Sequence, residues 1–73
     1  MSQRTNNYDR PAALLALVGR EAWAALDAAQ HGQPDLAKAH MNVARGAFRE
    51  LDEEVRADDP ILAAAHRILI WVE

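Results

Sequence analysis

Residues 34–56, PDLAKAHMNVARGAFRELDEEVR, carry the strongest helical pattern in the chain. Apolar side chains recur there at spacings of three and four, which puts them on one face of an α-helix: Ala37, Met41, Ala44, Phe48, Leu51 and Val55. Pro34 suits the first helical position, and Asp35 suits the positive end of the helix dipole. We therefore predict a helix over about 34–57, with a core face widened on one side by four neighbours: Leu36, His40, Val43 and Ala47.

The segment before this helix predicts a second one over about 10–31. Asp9 can cap its first turn, and Pro11 fits there because its nitrogen has no hydrogen to leave unbonded. Gly32 is expected to end it in a left-handed conformation. Gly19, inside the helix, would let a neighbouring helix approach closely. One face collects its larger and smaller apolar residues: Leu14, Leu15, Val18, Ala22, Ala25, Leu26 and Ala29.

The segment after residue 57 predicts a third helix, over 60–72. Asp59 can cap it, and Pro60 fits its first position. Its core stripe comprises Ile61, Leu62, Ala65, Ile68, Leu69 and Val72. Short connections favour antiparallel neighbours. The expected fold is all-α, a three-helix antiparallel bundle or a helical hairpin plus a C-terminal helix, with a polar N-terminal arm at 1–8 and one helical domain at 9–73.

Composition sets limits on the class of protein. A chain of 73 residues forms one domain, and its small core favours extra support from a partner subunit. Cysteine is absent, so a disulfide cannot supply that support. We therefore expect a homodimer. The apolar runs are too short to cross a membrane and no signal sequence is visible, so we expect a cytoplasmic protein without a membrane partner.

The C-terminal run Ile68-Leu69-Ile70-Trp71-Val72 is apolar all round, whereas a bundle helix normally has a polar side. Ile70 and Trp71 therefore predict a surface that binds a protein partner. The alternatives are a small core that surrounds the whole turn, or a short buried strand. Trp23 lies beside the apolar face of the first helix and is interpreted as a core residue or a second interface anchor.

Negative charge is concentrated where the second and third helices meet, at Glu50, Asp52, Glu53, Glu54, Asp58 and Asp59. Such a patch could steer a basic partner protein toward the chain, although most acidic runs are simply solvated. Neither a nucleophile nor a pocket accompanies these carboxylates, so we expect no catalytic residue. His40 predicts a partly buried histidine with a hydrogen-bond partner, and we expect neither a metal nor a cofactor.

Gly32, Ala37 and Ala44 resemble the small-residue positions of a tetratricopeptide-type helical hairpin. The resemblance covers about half of the chain, and the large aromatic positions of that repeat are not reproduced. It implies a helical hairpin that packs against a neighbour, because one such unit cannot bury its own apolar face.

The leading functional hypothesis is a protein-interaction module that acts as a regulator, adaptor or inhibitor of a larger protein. Arginine outnumbers lysine seven to one and alanine is abundant, which is typical of GC-rich bacterial or phage genomes and suggests an antagonist from such a source. The alternative is a DNA-binding regulator with a helix-turn-helix. The net charge of −3 makes nucleic acid an unexpected partner, because binding to phosphates needs a basic face. A third possibility is an enzyme subunit or carrier whose cleft forms in a dimer.

Overall fold

The computed structural model of the chain describes residues 9–72, so the predicted arm at 1–8 and Glu73 lie outside the described residues. Within this range the protein consists of three α-helices packed together, without a β-strand. They are α1 (Asp9–Gln30), α2 (Pro34–Glu54) and α3 (Pro60–Val72). The predicted all-α class is confirmed.

The turn between α1 and α2 reverses the chain within three residues. Gly32 has a φ of 72°, a conformation that glycine adopts without the steric cost of a side chain. The Gln33 nitrogen donates a 2.9 Å hydrogen bond to the Ala28 oxygen, and the Gly32 nitrogen donates a 3.1 Å bond to the Ala29 oxygen. This pair of bonds is a Schellman motif, which satisfies the last carbonyls of a helix. The predicted stop at Gly32 is confirmed, and α1 and α2 form an antiparallel hairpin.

Helix α2 ends at Glu54, so the prediction that it continues to residue 57 is wrong. Val55 adopts an extended conformation, with φ −126° and ψ 168°. The last turn contains acidic side chains and no basic one, and negative charge is unfavourable at the carboxyl end of a helix dipole. Leaving the helix also lets the Val55 side chain pack against the core.

Helix α3 begins as predicted. The Ile61 nitrogen donates a 2.9 Å hydrogen bond to Oδ1 of Asp59, which satisfies one of the free N–H groups of the first turn. The helix packs mainly against α1. It runs in the same direction as α1. Gly19 faces Ile68, whose Cδ1 would lie 3.9 Å from a Cβ at Gly19, and one turn further along both helices Trp23 contacts Trp71.

The core is small and rich in alanine. Val18 and Leu51 are its largest fully buried side chains. Among the described residues, alanine supplies six of the eleven buried hydrophobic side chains, which are Leu14, Val18, Ala22, Ala25, Ala28, Met41, Ala44, Ala47, Leu51, Ala65 and Leu69. A core made this way buries less apolar area per residue than one built from leucine and phenylalanine.

The predicted widening of the α2 core face is only partly correct. Ala47 is buried and His40 is partly buried, but Leu36 and Val43 are 46% and 47% exposed. Alanines at 44 and 47 allow α1 and α2 to lie close together. Leu36 and Val43 lie on the edge of α2 opposite to Arg45, Phe48 and Asp52, which border α3, so α3 does not cover them.

Candidate protein-binding surface

Two exposed tryptophans contact each other across α1 and α3. The ring centroids of Trp23 and Trp71 are 5.4 Å apart with an interplanar angle of 62°, an edge-to-face arrangement that aromatic pairs favour. The two side chains are nevertheless 62% and 63% exposed. The sequence singled out each tryptophan separately, and the structure brings them together on one surface.

The position of α3 along α1 explains why the pair stays outside the core. Helix α3 approaches α1 at Gly19, where a Cβ would lie 3.9 Å from Cδ1 of Ile68. Ala22, on the inner side of the next turn, is fully buried. Trp23 follows it on the outer edge of α1, and Trp71 occupies the matching edge of α3. The rings thus close the α1–α3 contact from the solvent side.

An apolar groove adjoins the tryptophans. Helix α3 has 13 residues against 22 in α1, a difference of roughly 13 Å at 1.5 Å per residue. The end of the hairpin near the α1–α2 turn therefore lacks α3 as a cover. The groove there has a volume of about 430 Å³ and is lined by Ala25, Leu26, Ala29, Ala37, Lys38, Met41, Asn42, Arg45 and Val72.

The groove and the tryptophan pair form one continuous surface. Leu26 lies one turn after Trp23 on α1, and Val72 directly follows Trp71 on α3. We call the two tryptophans together with the groove the tryptophan surface. Sequence reasoning did not identify the groove. The feature of the sequence that indicates the groove is the short third helix, which leaves one end of the hairpin uncovered.

Ile70 lies on the other side of α3 from Trp71. It is 60% exposed and borders a second depression of about 390 Å³ between α2 and α3, which shares Arg45 with the groove. Phe48 and His66 line this depression, with their ring centroids 6.0 Å apart. Ile70 and Trp71, which the sequence pattern assigns to one surface, thus lie on different sides of α3.

Two of the six predicted acidic residues bind an arginine of α1. Nη2 of Arg10 is 2.7 Å from a carboxylate oxygen of Glu50, and its Nε is 3.0 Å from Glu54. All three side chains remain substantially exposed. These carboxylates tie the end of α2 to the start of α1, and part of the acidic charge is neutralised within the chain.

The other four acidic residues have different surroundings. Asp59 caps α3, as described above. Asp58 is highly exposed and lies 3.5 Å from Nε of Arg56. Asp52 and Glu53 are exposed on the last turn of α2. The structure therefore divides the acidic run among an interhelical ion pair, a helix cap and a solvated surface.

His40 has the hydrogen-bond partner that its position predicted. Its Nδ1 is 2.7 Å from Oε1 of Glu21, and the two side chains are 30% and 19% exposed. This pair links the middle of α2 to α1. Across residues 9–72 no group of three or more histidine, aspartate or glutamate side chains is arranged to hold a metal ion.

None of the three helices in the described range is long and apolar enough to cross a membrane. No protein-family model matches the chain, and neither a curated protein nor a solved structure matches it. The helical hairpin that the tetratricopeptide-type resemblance implies is present as α1 and α2.

Proposed function

We propose that this chain is a small cytoplasmic protein-interaction module, without enzymatic activity, that regulates, adapts or inhibits a larger protein. The observation that carries the proposal is the exposed, edge-to-face pair of Trp23 and Trp71. Tryptophan is enriched among the residues that contribute most to binding energy at protein interfaces. An antagonist from a bacterial or phage genome would be one protein of this kind.

The energetics of the pair support a binding role. Covering the exposed part of one indole would contribute about 3 kcal/mol, at roughly 25 cal/mol per Å² of apolar surface. The contact between Trp23 and Trp71 also limits the motion of both side chains before a partner arrives. Less conformational entropy is then lost on binding. Two indoles held in this way make a stronger anchor than two independent ones.

The test is a capture experiment with matched variants. The chain is immobilised as wild type, as Trp23→Ser with Trp71→Ser, and as Leu36→Ser with Val43→Ser. The second double variant removes two exposed apolar side chains from the face of the hairpin that α3 does not cover. Bound proteins from a lysate of the encoding organism are quantified by mass spectrometry, and the captured protein is then purified for calorimetric titration.

We expect one protein to bind the wild type and the Leu36/Val43 variant and to be lost from the tryptophan variant. Calorimetry should reproduce that difference with the purified pair. Binding that survives the loss of both tryptophans would refute the proposal. No arrangement among the described residues favours the DNA-binding alternative, which stays a prediction.

A further inference from the structure

We propose that a second copy of this chain covers the tryptophan surface, with Trp71 of each copy seated in the groove of the other. The proposal rests on the proposed function, in that it names the occupant of the same surface when no larger partner is bound. A dimer of this kind would keep two indoles and an apolar groove out of water.

The arrangement of the surface is self-complementary. A protrusion formed by Trp23 and Trp71 lies directly beside a hollow of about 430 Å³. An interface between two identical subunits related by a two-fold axis uses the same patch on both sides. An axis near Leu26 and Val72, where protrusion and hollow meet, would place each protrusion in the opposite hollow. One surface thus supplies both halves of the interface.

The chemistry of the groove suits an indole. Its floor is mostly apolar, and the two charged side chains that line it, Lys38 and Arg45, are both cationic. A cation is attracted to the face of an aromatic ring, most strongly to that of tryptophan. The carboxyl end of α3, which carries Trp71, is the negative end of a helix dipole and complements the same cations. An incoming α3 would therefore bring both an indole and a partial negative charge to Lys38.

The area is sufficient for a weak, specific dimer. The two tryptophans of one copy leave roughly 250 Å² exposed, given the size of the side chain. Burial of this area on both copies, together with the groove surface that faces it, amounts to about 1,000 Å². That value is near the lower limit for specific interfaces, so we expect a dissociation constant in the micromolar range.

The small core gives an independent reason for self-association. A domain of this size with six alanines among its buried hydrophobic residues gains little free energy from its own interior. The chain has no cysteine with which to form a disulfide. Covering Trp23 and Trp71 in a dimer would add the large aromatic surface that the monomer's core lacks.

The experiment measures oligomeric state by sedimentation velocity and light scattering on the full chain, from about 1 µM to 1 mM, the range that brackets a micromolar constant. Trp71→Ser removes the indole that enters the groove of the other copy, Ala29→Phe fills the hollow, and Val43→Ser is the control on the opposite edge of α2. Circular dichroism establishes that each variant keeps its helices. The two tryptophans are the only ones in the chain, so their emission reports directly on this surface.

We expect a wild-type dimer whose tryptophan emission shifts to shorter wavelength as the concentration rises. Trp71→Ser and Ala29→Phe should each weaken it about 30-fold, the effect of losing a hot-spot residue, while Val43→Ser should leave it unchanged. A wild type that stays monomeric throughout overturns the inference, as does a dimer that only Val43→Ser dissolves. Neither result affects the capture experiment. Conversely, a tryptophan-dependent dimer with unaltered capture supports the inference and refutes the proposed function.

Discussion

The rings of Trp23 and Trp71 meet edge to face with their centroids 5.4 Å apart, and this contact joins the outer edges of α1 and α3. The contact is therefore part both of the packing between the helices and of the candidate binding surface. The pair is formed by packing that holds α3 on the hairpin, yet most of both side chains remains available to a partner.

The first prediction concerns the energy of this contact. A double-mutant cycle with Trp23→Ala, Trp71→Ala and both together should give a coupling of about 1 kcal/mol, the value typical of aromatic pairs. Stability is measured by urea denaturation at low protein concentration, so that self-association does not contribute. Additive effects of the two substitutions would show that the rings do not stabilise the fold through each other.

The second prediction concerns the cap of α3. Asp59→Ala should lower the free energy of unfolding by about 1 kcal/mol, because the Ile61 N–H loses its acceptor at a helix start. Asp58→Ala is the matched control. Asp58 is a neighbouring carboxylate in a highly exposed ion pair with Arg56, and its loss should cost less than about 0.5 kcal/mol. Equal losses for both variants in urea denaturation would contradict the assignment of Asp59 as the cap.

Much of the fold follows from local chemistry. Gly32, Asp59 and Pro60 mark helix ends because glycine, a capping carboxylate and proline act on the backbone within a few residues. The end of α2 at Glu54 is harder to predict from the sequence, because it results from several weak local effects that add together. No single breaker occurs near Val55, and the helix stops where several acidic side chains meet the negative end of its dipole.

The surface was less predictable, because it depends on how the helices are placed against one another. Trp23 and Trp71 were both identified from composition and local pattern, but their contact depends on the register of α3 along α1. Leu36 and Val43 continue the helical pattern of α2 and are still exposed, because α3 packs along the opposite edge of α2 and leaves their side uncovered. The groove results from unequal helix lengths, a property of the assembled fold.

The third prediction concerns the ion pairs between α1 and α2. Arg10→Ala should lower the free energy of unfolding by at most about 1 kcal/mol. Each exposed ion pair contributes little, and the substitution removes two of them. The loss should shrink in about 1 M salt, where the Debye length falls to about 3 Å. Arg67→Ala, at an exposed position on α3, is the control and should have a smaller effect. A loss for Arg10→Ala that is insensitive to salt would assign its contribution to packing of the aliphatic stem.

The fourth prediction concerns the glycines inside the helices. Gly46→Ala on α2 should raise the free energy of unfolding by about 1 kcal/mol through helix propensity alone, because a Cβ there meets no atom within 4 Å. Gly19→Ala should raise it by the same amount plus a few tenths of a kcal/mol, since its Cβ would gain an ordinary contact with Ile68 at 3.9 Å.

Gly32→Ala should instead lower the free energy of unfolding in the same urea experiment. Its φ of 72° costs an alanine about 1 kcal/mol, so this variant should unfold at lower urea concentration than the wild type. The three glycines separate propensity, packing and backbone conformation. A destabilising effect of Gly19→Ala would mean that α3 lies too close to α1 for a Cβ at position 19, contrary to the 3.9 Å distance to Ile68. The register of α3 along α1, which joins Trp23 to Trp71, would then be wrong.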